Sequence, residues 1–234
     1  MKAVILAAGR GTRMPNVTKD KPKALIDING KTILQRQIET LKKNQIEKII
    51  LVIGHKAEQI KKQIKNIDNI EIIENKDYAT TDNIYSLYLT NNQIKNHEFI
   101  LMNGDAVFEE KIIQQLASKK EQNIAPVDSQ YYDHEELKIR EENGRVMEIL
   151  PKNTPKNLSD GSTIGIFKFS TKGSTVLFDE LEQLTKKGVK NKWFEHALNN
   201  IFKKIEMKKM DIHGFKWIEI DDERDIIKAK KMFR

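Results

Sequence analysis

Four short apolar runs, Lys2 to Leu6, Ile46 to Gly54, Ile70 to Asn75 and His97 to Asp105, punctuate the first half of this 234-residue chain. A continuous β-branched run bounded by turn residues is the mark of a strand covered on both faces. Between these runs the apolar residues recur at helical spacing, first from Thr32 through Ile38 and Leu41, then from Ala57 to Ile67, then from Asn83 to Leu89. Strands that alternate with helical segments build right-handed βαβ units, so the pattern predicts an α/β fold with a mainly parallel sheet flanked by helices. Ligands of such sheets bind at the carboxyl ends of the strands.

Past residue 125 the rhythm changes. Leu137 to Leu150 alternates apolar positions on either side of Glu-Asn-Gly, which predicts a β-hairpin. Thr163 to Phe169 reads as a strand, Thr175 to Leu184 and Trp193 to Phe202 as helices, and Lys216 to Asp222 as a last strand feeding a C-terminal helix. The spacing predicts one domain over 1–234, with a small antiparallel insertion or lid at about 126–160 where substrate selection would sit.

Charge and residue usage narrow the function. Forty-one Lys and Arg are offset by 34 Asp and Glu, for a net charge of +7. Both signs are interspersed, which suits an enzyme of phosphorylated substrates better than a nucleic-acid binder with a dense basic stripe. Pairs such as Lys42-Lys43, Lys61-Lys62 and Lys230-Lys231 read as solvated helix faces. With no cysteine, a disulfide framework, a thiolate metal site and a Cys nucleophile are excluded. The run Ala3 to Ala8 is too short for a signal-peptide core or a membrane span, so a cytoplasmic protein without membrane insertion is expected.

The first strand runs directly into Gly9-Arg10-Gly11, then Arg13, Lys19, Lys21 and Lys23. Glycines let backbone N–H groups approach an anion, and Arg and Lys add charge-assisted hydrogen bonds to phosphate oxygens. The dinucleotide fingerprint G-x-G-x-x-G fails, because Met14 stands at its third glycine and Pro15 follows, so no helix is expected to begin where the fingerprint needs one. A Walker A loop fails as well, since no G-x-x-x-x-G-K-S/T occurs in the stretch.

The stretch LAAGRGTRMPNVTKDKPKAL resembles the signature of the nucleotidyltransferase family that includes sugar-1-phosphate nucleotidylyltransferases and small-phosphoester cytidylyltransferases. Leu6, Ala7, Ala8, Gly9, Gly11, Arg13, Pro22, Lys23, Ala24 and Leu25 carry the match. The resemblance implies a Rossmann-like, nucleotide-diphospho-sugar transferase-like fold. It further implies that the backbone from Leu6 through Ala7, Ala8 and Gly9 to Gly11 embraces a nucleoside triphosphate, that Arg13 grips the leaving pyrophosphate, and that Lys23 neutralises the reacting phosphates.

Asp105 closes the fourth strand, where a carboxylate projects into the ligand crevice; the resemblance makes it a nucleotide-binding and Mg²⁺-binding residue. In WIEID, Glu219 and Asp221 lie two apart on one face of a strand, and like charges so placed call for a cation. The family's second metal ligand falls there, at Glu219 or Asp221. Asp222 and Asp225 read as caps of the final helix. Sugar-nucleotide members carry a Gly-Thr pair after the third strand, whereas this chain has DYATTDNIYSLYL, similar to the N-x-Y-S-L form of phosphocholine-type cytidylyltransferases. Asn83 is then the candidate for reading a pyrimidine edge, with helix N-cap as its alternative role. Lys152 sits where relatives hold the second substrate's phosphate. Trp193 and Phe194 are candidates for an aromatic wall around a trimethylammonium group, although core packing is the commoner fate of such residues.

Together these readings predict a Mg²⁺-dependent cytidylyltransferase that joins CMP from CTP to a phosphorylated small-molecule acceptor. The alternatives are a sugar-1-phosphate nucleotidyltransferase using UTP, dTTP or GTP, and a non-catalytic nucleotide-binding module. The sequence leaves a homo-oligomer open.

Overall fold

The computed structural model describes residues 1–46 and 48–234; the Glu47 position of the second expected strand lies outside the described residues. In chain order the first half runs β1 (Lys2–Ala7), α1 (Pro15–Thr18), β2 (Asp27–Ile28), β3 (Lys31–Thr32), α2 (Ile33–Lys43), β4 (Lys48–Ile53), α3 (Ala57–Ile64), β5 (Ile70–Glu74), α4 (Asn83–Tyr88), α5 (Asn91–Ile94) and β6 (Phe99–Asn103). The second half runs β7 (Ala106–Phe108), α6 (Glu110–Ser118), β8 (Asn123–Asp128), β9 (Lys138–Glu142), β10 (Arg145–Leu150), β11 (Ser162–Thr163), β12 (Ile166–Phe169), α7 (Thr171–Lys186), α8 (Glu195–Ile201), β13 (Met207–Asp211), β14 (Trp217–Glu219) and α9 (Glu223–Met232).

The main sheet has the order β11-β9-β10-β13-β8-β12-β6-β1-β4-β5. Its half formed by β6, β1, β4 and β5 is parallel throughout, as the alternating pattern predicts. Beyond β6 the sheet turns mixed, because β12 enters antiparallel to β6 while β8 and β13 pair in parallel. Strand β1 shows why the apolar run is continuous. Val4, Leu6 and Ala8 pack into one core cluster, while Ala3, Ile5 and Ala7 pack into a second. Burying each such aliphatic side chain contributes about 1.5–3 kcal/mol, so both faces stabilise the strand at the centre of the sheet.

The expected hairpin forms, with Asn143 (φ 51°) and Gly144 (φ 77°) in the left-handed region that a two-residue turn of this kind requires. It continues the main sheet in its own plane, at the end opposite β5, rather than lying over the parallel strands. One helical turn, α1, begins at Pro15, contrary to the expectation of no helix there; proline suits the first helical position because its missing N–H would be unpaired anyway. At four residues this turn does not supply the long helix of a dinucleotide fingerprint.

Strands β7 and β14 form a separate antiparallel ribbon in which Glu219 stands opposite Ala106. The Asp105 carbonyl accepts from the Ile220 N–H at 3.1 Å, which draws the two acidic segments together. A capping box on α9 completes the arrangement, with Asp222 accepting from Asp225 N–H and Asp225 accepting from the Asp222 N–H. Asp225 also accepts from the Asp221 N–H at 3.0 Å, fixing the backbone that presents Asp221.

Candidate active site

A cavity of about 270 Å³ opens where β1 and β6 end. Leu6, Ala7, Ala8, Gly9 and Gly11 line one wall. Gly11 adopts φ +63°, and a Cβ there would stand 2.8 Å from Thr18 Cγ2, so the loop requires glycine at this point. Thr18 pins the loop by donating its hydroxyl to the Gly11 carbonyl at 3.0 Å and the Met14 carbonyl at 2.7 Å. Gly9 is different: a Cβ at that position would meet nothing within 4 Å, so the fold itself does not demand glycine there.

Cations and carboxylates meet on the opposite wall. Lys23 leaves the short 3₁₀ turn Lys23–Leu25 and donates to Asp105 Oδ2 at 2.7 Å and Asp221 Oδ1 at 2.9 Å. Burial alone would lower its pKa, but the two carboxylates outweigh burial and raise it, so Lys23 stays charged. Arg13 Nη1 donates to Asp221 Oδ2 at 2.7 Å and to Glu135 Oε2 at 3.2 Å. Lys152 Nζ reaches Asp221 Oδ2 at 3.4 Å. Burial pushes the Asp221 carboxyl up, yet Lys23, Lys152 and Arg13 reverse that and hold it below the usual carboxylate range.

Glu219 faces the same cavity without such cations in contact. Burial first, then Asp105 and Asp221, push its carboxyl well up. Gly165 makes room for it: with φ +65°, a Cβ at residue 165 would come within 2.6 Å of both Glu219 Oε1 and Asn103 Nδ2.

Whether these acids fit a divalent cation can be judged from their unmet needs. Asp105 Oδ1 is buried and has no hydrogen-bond partner among the described residues. Three carboxylates therefore converge with positive charge lacking at Asp105 Oδ1 and Glu219. Among the described residues no group of three or more His, Cys, Asp and Glu is spaced to hold a metal unaided. A Mg²⁺-type ion, which takes one or two carboxylates and completes its shell with phosphate oxygens and water, fits this donor set.

Asn83 lines the cavity, but Asp82 is the cap of α4, accepting from the Asn83 N–H at 2.8 Å. The Asn83 side-chain carbonyl accepts from the Phe194 N–H at 2.7 Å, tying α4 to the start of α8. Its N-cap role is thus taken by its neighbour, and the oxygen of its amide is already engaged. Phe194 is fully buried against Phe167 and belongs to the core, whereas Trp193 is 43% exposed and lines the cavity.

Among the cavity residues that the sequence reading did not single out, Asn75, Glu136 and Glu195 stand out. Asn75 is buried and donates to Thr81 Oγ1 and Ser86 Oγ, organising the loop before α4. Glu136 and Glu195 are buried acids that line the cavity. Glu195 did leave a signal, because it stands three residues before Leu198 and seven before Phe202, on an apolar face of its helix. Glu136 left none, because its burial depends on a loop held by Lys138, whose ammonium donates to the Asp133 and Glu136 carbonyls.

The model of the MobA-like NTP transferase domain matches residues 3–200. The chain belongs to that family. The resemblance carried by the opening motif is thereby borne out. A bifunctional protein GlmU of Methanococcus vannielii is 30% identical over 242 residues, covering 100% of this chain and 55% of the relative. A choline-phosphate cytidylyltransferase of Streptococcus pneumoniae is 42% identical over 96 residues, covering 41% of this chain and 42% of the relative. Among solved structures, the CTP:phosphocholine cytidylyltransferase of Streptococcus pneumoniae superposes with a TM-score of 0.84 at 22% identity, covering 100% of this chain and 99% of that one. That likeness establishes the α/β nucleotidyltransferase fold. The chain spans about half the length of the curated relatives it matches. Among the described residues, no helix is long and apolar enough to cross a membrane.

Proposed function

We propose that this chain transfers a nucleotidyl group, CMP from CTP, to the phosphate or phosphonate of a small acceptor and releases pyrophosphate. The observation that carries the reading is the Lys23 ammonium held 2.7 and 2.9 Å from Asp105 and Asp221 at the end of a glycine-lined cavity. Such a cation can exchange one carboxylate for an α-phosphate oxygen. The resemblance to a cytidylyltransferase over 96 residues favours CTP as donor.

The acceptor's phosphate oxygen forms the new bond to the α-phosphorus as the bond to the bridging oxygen of pyrophosphate breaks, in line. A phosphate dianion is already nucleophilic, so the protein supplies alignment and charge rather than a general base. Arg13 holds the departing pyrophosphate, Lys23 the α-phosphate and Lys152 the acceptor's phosphate. Asp105 with Glu219 or Asp221 would hold a Mg²⁺ ion, which when bound neutralises phosphate charge. The backbone from Leu6 to Gly11 and the amide of Asn83 hold the nucleotide.

Pyrophosphate release tests the reading. A matrix of CTP, UTP, dTTP and GTP against phosphocholine, phosphoethanolamine, aminoethylphosphonate, inositol phosphate and sugar 1-phosphates should give release with CTP and a phosphoester or phosphonate. Release confined to a sugar 1-phosphate with another nucleotide would replace the cytidylyl reading, and no release in any cell of the matrix would overturn the enzyme reading.

A further inference from the structure

Helix α2 carries a polar residue where its pattern calls for an apolar one. Ile33, Leu34, Ile38 and Leu41 are buried, and Gln37 shares their face at 1% exposure. Burying an amide costs free energy unless its hydrogen bonds are met, and the Gln37 Oε1 has no partner among the described residues. The amide nitrogen explains why the residue is there. Nε2 donates to the Asn103 carbonyl at 2.9 Å and to the Ala106 carbonyl at 2.8 Å.

Those two carbonyls bracket Gly104-Asp105, the turn that joins β6 to β7. The turn is held from other sides as well. Gly104 donates to the Leu6 carbonyl at 2.9 Å, and a Cβ at residue 104 would stand 2.8 Å from that oxygen, so the turn lies tight against β1. The Asp105 carbonyl accepts from the Ile220 N–H at 3.1 Å. Ala106 stands opposite Glu219 in the β7–β14 ribbon, so the Gln37 amide also supports the strand pair that presents a second acid. A primary amide has two N–H donors and can span two carbonyls, which no apolar residue at this position can do.

We infer that Gln37 is a positioning residue for Asp105, holding the turn from behind so that the carboxylate meets Lys23 Nζ at 2.7 Å and any ion bound beside it. The inference rests on the proposed function for the ion and phosphates that Asp105 serves. Gln37 acts on them only through the backbone of the turn. Removing a group that orients a metal-binding carboxylate from behind costs about 10–100-fold in metal affinity or activity.

Two variants of the full chain separate positioning from mere packing. Gln37→Met keeps the length of the side chain and removes both donors, while Leu41→Ala loosens the same helix face one turn further along. Each is compared with the wild type by thermal melting, by Mn²⁺ titration followed by electron paramagnetic resonance with saturating α,β-methylene-CTP, and by backbone amide exchange. Gln37→Met should bind Mn²⁺ about tenfold more weakly than the wild type and exchange the Ile220 amide faster relative to the amides of β4. Its kcat should fall while its KM for CTP holds. Leu41→Ala should melt lower and keep its Mn²⁺ affinity within about twofold of the wild type. In the wild type, which needs no substitution to fold, both Gln37 side-chain amide protons should be protected from exchange.

Mn²⁺ affinity no weaker in Gln37→Met than in Leu41→Ala, or Gln37 side-chain protons that exchange as fast as those of exposed amides, would overturn the inference. A wild type that binds no Mn²⁺ removes the metal assignment instead, and exchange at Ile220 then decides the role of Gln37. The transfer is judged separately. Altered Mn²⁺ affinity without pyrophosphate release from any nucleotide keeps Gln37 and removes the transfer, and release with unaltered affinity and exchange does the reverse.

Discussion

Asp221 and Glu195 line the same cavity and stand in opposite electrostatic situations. Asp221 is contacted by Arg13, Lys23 and Lys152, so its charge is neutralised from within. Glu195 Oε2 is buried and has no hydrogen-bond partner among the described residues. The difference teaches that a site for two substrates can be prepared in two ways. Internal ion pairs keep mobile cations charged and ready to exchange a carboxylate for a phosphate. A buried acid without such a contact instead has its carboxyl pushed up by burial.

The largest effect that could break this contrast is expected at Lys23. Lys23→Ala leaves Asp105 and Asp221 without the cation between them, and should lower turnover by roughly a thousandfold while changing the KM for nucleotide far less. Steady-state kinetics checks this, and a change confined to nucleotide KM would place Lys23 away from the reacting phosphate. The same removal should destabilise the protein by about 3 kcal/mol, as expected when one partner of a buried pair is lost.

A smaller effect should follow from Gly165→Ala, which tests whether Glu219 needs its position. The new Cβ, 2.6 Å from Glu219 Oε1 and at a left-handed φ, forces Glu219 or the strand junction to move. Stability should fall by about 1–3 kcal/mol, with turnover falling roughly tenfold. Denaturant unfolding combined with kinetics would show it, and a variant equal to the wild type in both would remove Glu219 from the account.

A third effect is a change of slope with pH. An unfolded glutamate titrates near 4.3, whereas the folded Glu195 carboxyl is pushed up to about 8. Between those values the unfolded chain has released a proton that the folded chain keeps. Stability contributed at Glu195 is therefore intact below about pH 4.3 and declines as pH rises toward about 8. Glu195→Gln removes that decline, so its melting temperature should gain on the wild type from pH 5 to pH 8. A constant difference across that interval would contradict the burial of an unpaired acid.

The two ends also differ in how far the sequence reveals them. Arg13, Lys23, Asp105, Glu219 and Asp221 stand in a motif or at strand ends, where local pattern alone directs a side chain toward the ligand crevice. The hydrogen bond between Arg13 and Asp221 joins residues 208 apart in the chain, so the pairing itself was not readable. Strands β7, β8 and β13 and helix α6 were not anticipated. In β13, Met207 and Met210 are buried while lysines stand between them, which hides a strand pattern behind charge. Glu136 is buried by a loop that Lys138 holds from inside the protein, and its role exists only in the folded chain.

The division of the cavity is tested most directly by exchanging one residue at each end and measuring both Michaelis constants under the same conditions. Arg13→Ala should raise the KM for CTP and spare that of the phosphorylated acceptor, and Lys152→Ala should raise the acceptor's KM and spare that for CTP. If both variants shift the same constant, the two ends do not serve two substrates.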